Sequence, residues 1–216
     1  MQVTPAINCQ DFACAEEKVK AVQGFLPEGG WFHLDVADAV FTFHKTWGDP
    51  DKLPFLISQL PQFNWEIHLM VEHPESVAEV WLGAGAKRLI VHTETINQDS
   101  AKTIFALTGK YRASAMLSSN PETLAENLRP YLPLFSEFQV LAVTPGWAGQ
   151  KFLPLVLEKI KFLRKELPNA LIEVDGGINP GTTEIVKAAG ANVVVVASYL
   201  FDRADHKSAF EELMRI

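Results

Sequence analysis

Eight short runs rich in aliphatic and β-branched residues alternate with longer segments of helical spacing. No linker or low-complexity stretch interrupts them. The alternation predicts a parallel α/β sheet, and eight evenly spaced units in 216 residues predict a closed (β/α)8 TIM barrel, one domain spanning residues 1–216. The rival is a doubly wound open sheet. Against it, the first strand runs into Asn8-Cys9-Gln10-Asp11, which lacks the glycines of a dinucleotide-binding turn.

The elements follow in order. Val3–Asn8 predicts a strand and Asp11–Gln23 the first helix. Trp31–Asp35 predicts the second strand. The segment Asp38 to Gln62 is irregular and broken by Trp47-Gly48-Asp49-Pro50, which predicts a loop over the barrel mouth before a short helix. Trp65–Val71 is the third strand, followed by a helix over Pro74–Ala84 that ends among Gly83 and Gly85. Arg88–His92 predicts a strand, Asn97–Thr108 a helix and Arg112–Leu117 the fifth strand. Asn120-Pro121 reads as a cap followed by proline at the first helical position, predicting a helix over Pro121–Tyr131. Phe138–Val143 is the sixth strand and Leu153–Glu166 its helix. Ala170–Asp175 is the seventh, and Pro180–Ala189 its helix, capped by Asn179 and stopped by Gly190. Val193–Ala197 predicts the eighth strand.

Composition narrows the function. The chain is 48% hydrophobic and 21% charged, with a net charge of −7. Acidic and basic residues are mixed, and no basic stripe exists to neutralise a phosphate backbone, so nucleic acid is not an expected partner. The longest apolar stretch, around Val193 to Ala197, is far too short to span a bilayer. Met1 to Asn8 carries no signal-peptide pattern. Two cysteines five apart, Cys9 and Cys14, make no disulfide framework. They read as ordinary semi-buried thiols in a reducing cytoplasm.

The chemistry sits in the strands. Residues two apart share a face, so His33 and Asp35 point together and Leu34 points away. His68 lies in the third strand and Asp175 ends the seventh. In a (β/α)8 enzyme the C-terminal strand ends carry the catalytic groups. Two imidazoles and two carboxylates from three strands therefore converge at one mouth, a donor set suited to a divalent ion such as Zn, Fe, Mn or Co. Taken singly, His68 also reads as a hydrogen-bonded core histidine, and Asp175 before Gly176-Gly177 as a turn residue. His92 closes the fourth strand, where it lines the pocket or supports the ligands from behind, and it reads equally as a hydrogen-bonded rim histidine. Glycine-containing loops follow strands six and seven, at Gly146-Trp147-Ala148-Gly149 and Gly176-Gly177, and Ala197-Ser198 follows strand eight. Such loops bring backbone N–H groups close to an anion, and phosphate binding there recurs in this barrel.

These segments resemble ribulose-phosphate 3-epimerases. The likeness rests on His33-Leu34-Asp35-Val36-x-Asp38, Ile67-His68-Leu69-Met70-Val71, Pro145-Gly146-Trp147-Ala148-Gly149-Gln150-Lys151-Phe152 and Val174-Asp175-Gly176-Gly177-Ile178, in the family's order. The resemblance implies a barrel of the ribulose-phosphate-binding type that interconverts ribulose 5-phosphate and xylulose 5-phosphate, a step of the pentose phosphate pathway. It implies one divalent metal ion on His33, Asp35, His68 and Asp175. Asp35 and Asp175 would move the proton on opposite faces of C3 while the metal stabilises the enediolate. Met70, Gly146, Ala148, Gly149, Gly176, Gly177, Ala197 and Ser198 would contact substrate or its phosphate. A homo-oligomer is implied too, since related epimerases commonly oligomerise. This chain departs from the family in the substrate shell. Ala6 replaces a serine, Ala37 a methionine, and Ala39-Val40 a Gly-His pair; Ala197 replaces a glycine, and Leu141 or Ala142 a methionine of strand six. Three rivals follow: an epimerase for another ketose phosphate, a barrel that binds sugar phosphate or metal without turnover, and a phosphosugar decarboxylase. The last needs an Asp-x-Lys-x-x-Asp array, and no such lysine follows Asp35.

Overall fold

In a computed structural model describing residues 1–216, eight parallel strands pair in chain order and β8 pairs back onto β1, closing a barrel. They are β1 (Gln2–Ile7), β2 (Trp31–Ala37), β3 (Asn64–Met70), β4 (Arg88–His92), β5 (Ser114–Ser119), β6 (Glu137–Leu141), β7 (Leu171–Asp175) and β8 (Val193–Val196). Around them lie α1 (Phe12–Val22), α2 (Leu53–Gln59), α3 (Pro74–Gly83), α4 (Gln98–Tyr111), α5 (Leu157–Glu166), α6 (Pro180–Ala189), α7 (Ser198–Phe201) and α8 (His206–Met214). The barrel prevails over the open sheet.

The pleat sorts the side chains. Outward residues such as Phe32, Leu34, Ile67, Leu89, Phe138 and Val174 join one buried apolar cluster with Val19, Ile104, Ile160, Val186 and Leu213 of the helices. This layer between sheet and helices is the hydrophobic core. The inward face of β2, β3, β4, β6 and β7 is instead rich in polar and charged groups, among them His33, Glu66, Arg88, Gln139 and Glu173, all buried.

Four expectations change. The fifth strand begins at Ser114, because Arg112 takes a left-handed conformation (φ 54°) to cap α4. The crossover after it is a 3-10 helix over Ala125–Tyr131, and Asn120 caps nothing. Asn120 is held by its neighbours: its N–H donates to Glu94 Oε1, and its carbonyl accepts from Lys159 Nζ at 2.5 Å. The second strand continues past Asp35 to Ala37. Finally, Cys9 and Cys14 are not free thiols; they form a disulfide. Cys9 follows β1 and Cys14 lies in the first turn of α1, a reversal that brings their Cα atoms to 5.8 Å. Their spacing did not reveal this, because pairing depends on the turn between them. With so short a loop the bond contributes about 2 kcal/mol by chain entropy. At roughly 2–4 °C per kcal/mol for a chain of this size, reduction with dithiothreitol is expected to lower Tm by about 4–8 °C. Thermal scans of oxidised and reduced protein, with a Cys9→Ser/Cys14→Ser control, check this. No helix is long and apolar enough to cross a membrane.

Candidate metal centre and active site

In the register of β2 on β3, His33 sits opposite Glu66 and Asp35 opposite His68; β6 on β7 sets Leu141 opposite Asp175. The inward faces thus carry His33, Asp35, His68 and Asp175 to one place, and one ligand atom from each lies within 4.8 Å of the others. His33 Nε2 and His68 Nδ1 each approach Asp35 Oδ1, at 3.2 and 3.0 Å. The same nitrogens lie 3.8 and 3.6 Å from Asp175 Oδ2, and 3.3 Å from each other. Ligands bound at about 2.0–2.1 Å in a tetrahedron stand roughly 3.4 Å apart. The donor set therefore fits a divalent ion in both chemistry and spacing, and two imidazole nitrogens facing each other are well used by a shared cation.

Further polar groups orient these ligands. Glu66 Oε1 accepts from His33 Nδ1–H at 2.8 Å, so Nε2 is the nitrogen turned toward the site. Behind His68, its Nε2 meets His92 Nε2 at 2.8 Å, and His92 Nδ1 meets Glu94 Oε2 at 3.2 Å. With His92 Nδ1–H donating to Glu94, His68 Nε2–H donates to His92 and His68 Nδ1 faces the site unprotonated. His92 thus stands behind a ligand and does not line the cleft. Below them, Arg88 bonds Glu66 Oε2 through Nη1 at 2.5 Å and Glu137 Oε2 through Nε at 2.5 Å. Gln139 donates to Glu173 Oε1 at 3.1 Å and accepts from Ser118 at 2.6 Å.

Electrostatics separate the two aspartates. Burial pushes the Asp35 carboxyl up, but hydrogen bonds from His33 and His68 outweigh it and hold it below the usual carboxylate range. Burial, and then the charge of Asp35, raise Asp175 to about 7. Burial lowers His68 to about 4, against the pull of Asp35. His33 is also buried, yet its hydrogen bonds to Asp35 and Glu66 hold it well above an ordinary histidine.

A cleft opens above the ligands. Asp35, Met70, Gly146, Ala148, Gly149, Asp175, Gly176, Gly177, Ala197 and Ser198 all line it, so every substrate-contact residue expected from the sequence meets there. Leu141 also lines it, whereas Ala142 packs into the outer core; Leu141 is therefore the strand-six residue at the mouth. Gly176 and Gly177 have φ of 104° and 66°. A Cβ on Gly176 would lie 2.5 Å from Val143 Cγ2, and one on Gly177 would collide with the Phe152 backbone. Only glycine lets this loop pass so close beneath its neighbours.

Sequence reasoning missed Asn8, Glu66, Arg88, Glu94, Glu137, Gln139 and Glu173. The signal for several was present. Glu66, Glu173 and Arg88 precede His68, Asp175 and His92 by two, two and four residues, the same strand face in each case. A polar residue sharing a face with a candidate ligand invites the reading of a supporting partner.

Comparison with known proteins agrees with this geometry. The profile described as "Ribulose-phosphate 3 epimerase family" matches residues 2–201. A ribulose-phosphate 3-epimerase of Chlamydia muridarum is 32% identical over 209 residues, covering 93% of this chain and 88% of the relative. One from Mycobacterium bovis is 32% identical over 220 residues, covering 99% and 91%. Among solved structures, 3-hexulose-6-phosphate synthase from Salmonella typhimurium superposes with a TM-score of 0.78 over 100% of this chain and 97% of its own, at 15% identity. That likeness shows the fold alone. With the family profile matched from β1 into α7, and relatives that share about a third of their residues along nearly its whole length, the chain belongs to the ribulose-phosphate 3-epimerase family.

Proposed function

We propose that this protein is a metal-dependent epimerase that interconverts D-ribulose 5-phosphate and D-xylulose 5-phosphate by moving the C3 proton. The observation that carries the reading is the meeting of Asp35 and Asp175, from β2 and β7, around the same pair of imidazoles at the floor of one cleft. Inversion at carbon requires a proton to leave one face and return to the other, so it needs two acid/base groups. Asp35 and Asp175 reach the cleft from strands separated in the barrel by β8 and β1. One carboxylate takes the C3 proton, and the other group delivers a proton to the opposite face.

His33, His68, Asp35 and Asp175 would hold the ion. A bound divalent ion supplies Lewis-acid stabilisation of the negative charge that develops on the substrate oxygen. Glu66 and the His92–Glu94 pair keep the imidazole lone pairs aimed at it. Backbone N–H groups of the loops at Gly146–Gly149, Gly176–Gly177 and Ala197–Ser198 hold the phosphate, an arrangement that uses no side-chain charge.

The test is incubation of metal-loaded protein with ribulose 5-phosphate in D2O. Deuterium is expected at C3, with xylulose 5-phosphate formed, and both are expected to stop when a chelator strips the ion and to return when Zn, Fe, Mn or Co is restored. Absence of exchange by loaded protein would sink the reading for this substrate. Other ketose phosphates in parallel identify a different sugar.

A further inference from the structure

The mouth contains a polar side chain that the proposed chemistry leaves unassigned. On β1, Thr4 and Ala6 share the inward face with Asn8, which lies one residue past the strand end. Ala6 and Asn8 both line the cleft, and Ala6 offers no polar atom. Asn8 is therefore the only polar side chain that this strand and its exit bring to the cleft.

Its partners are specific. Asn8 Nδ2 donates to Asp35 Oδ2 at 2.9 Å and to the Gly146 carbonyl at 3.1 Å. Both amide protons are spent on acceptors. The aspartate oxygen chosen is the informative part. Oδ1 of Asp35 is the atom that His33 and His68 approach. Oδ2 is its other oxygen, free of the ligand group. A carboxylate that both ligates and moves protons must divide its two oxygens between the tasks, and the proton-moving one needs a fixed direction.

Asn8 is itself held firmly. Its carbonyl accepts from Lys18 Nζ at 2.9 Å. The next residue, Cys9, is bonded to Cys14, and its carbonyl accepts from Trp47 N–H at 2.7 Å. The backbone that carries the amide is thus tied to α1 and to the loop after β2.

We propose that Asn8 is a positioning residue, whose amide fixes Asp35 Oδ2 for proton transfer at C3 and ties it to the Gly146 loop. This rests on the epimerase reading above. A carboxylate held on one side only by imidazoles rotates about its Cβ–Cγ bond; the amide removes that freedom. It also ties the aspartate to the loop that follows β6 through the Gly146 carbonyl.

The experiment compares wild type, Asn8→Leu and Asn8→Asp for metal content, Tm, kcat and KM with ribulose 5-phosphate. Leucine keeps the branching at Cγ and removes both hydrogen bonds; aspartate keeps the shape and puts an acceptor against two acceptors. Asn8→Leu is expected to bind metal and melt as wild type does, with kcat reduced about 10–100-fold and KM within about threefold. Asn8→Asp is expected to lose more. Wild-type kcat in Asn8→Leu overturns the inference, and so does a loss that only follows a loss of metal or of fold. A wild-type protein that turns over no ribulose 5-phosphate fails at the earlier step and overturns the epimerase reading, and the inference with it.

Discussion

Asp175→Asn is expected to reduce C3 exchange and epimerisation of ribulose 5-phosphate by about 10²–10⁴-fold, the range that a positioned acid or base contributes. The substitution conserves shape and leaves an amide oxygen to face the imidazoles. What it removes is the ability to carry a proton. Asp175 suits that task because it lines the cleft from β7, on the other side of β8 and β1 from Asp35, where an acid/base group can serve the opposite face of the carbon. Metal content is measured beside activity, since Asp175 Oδ2 lies 3.6 Å from His68 Nδ1 within the ligand group. A variant that still carries its ion yet exchanges within tenfold of wild type would remove Asp175 from the proton path. Single-turnover experiments in D2O separate this from a defect in substrate binding.

The second large effect concerns stability. Arg88→Leu is expected to destabilise the fold by about 3–5 kcal/mol, the cost of stripping one partner from a buried ion pair. Arg88 is 5% exposed, Glu66 is fully buried, and their contact is 2.5 Å. The guanidinium also holds Glu137 and lies 4.1 Å over the Trp31 ring. Its removal leaves Glu66, which has no exposed surface, bonded to His33 alone. Glu137 is 20% exposed and can recover solvent, so the penalty falls mainly on Glu66. The damage reaches the site, because Glu66 is the group that orients His33. Urea unfolding with and without added metal measures both consequences. Adding Glu66→Gln to Arg88→Leu is expected to recover part of the loss, since it removes the stranded charge. A change below about 1 kcal/mol for Arg88→Leu would show that the network is hydrated in solution.

Much of the site was legible before folding. Period-two alternation places His33 and Asp35 on one face in any strand, whatever the sheet around it. Chain order and even spacing then put His68 and Asp175 at the same end of a parallel barrel. The glycine loops announced themselves because few residues other than glycine tolerate such φ values. Less legible were features that depend on partners distant in sequence. The Pro121–Tyr131 helix failed although Asn120 precedes a proline: its side-chain oxygen meets no donor, its backbone N–H and carbonyl are bonded to Glu94 and Lys159, and the 3-10 turn begins only at Ala125. The Cys9–Cys14 bond depends on the angle between β1 and α1, which no spacing rule encodes.

The sequence by itself therefore determined the alternation of elements, the face on which each candidate ligand lies and the loops beside them, because these follow from local backbone geometry. Tertiary structure alone decided which charges face one another inside the barrel. Only there does Arg88 reach Glu66 and Glu137, His92 meet His68, and the Asn8 amide find Asp35. The reason is physical: a buried polar group is stable only with a partner, and in a closed sheet that partner comes from another strand.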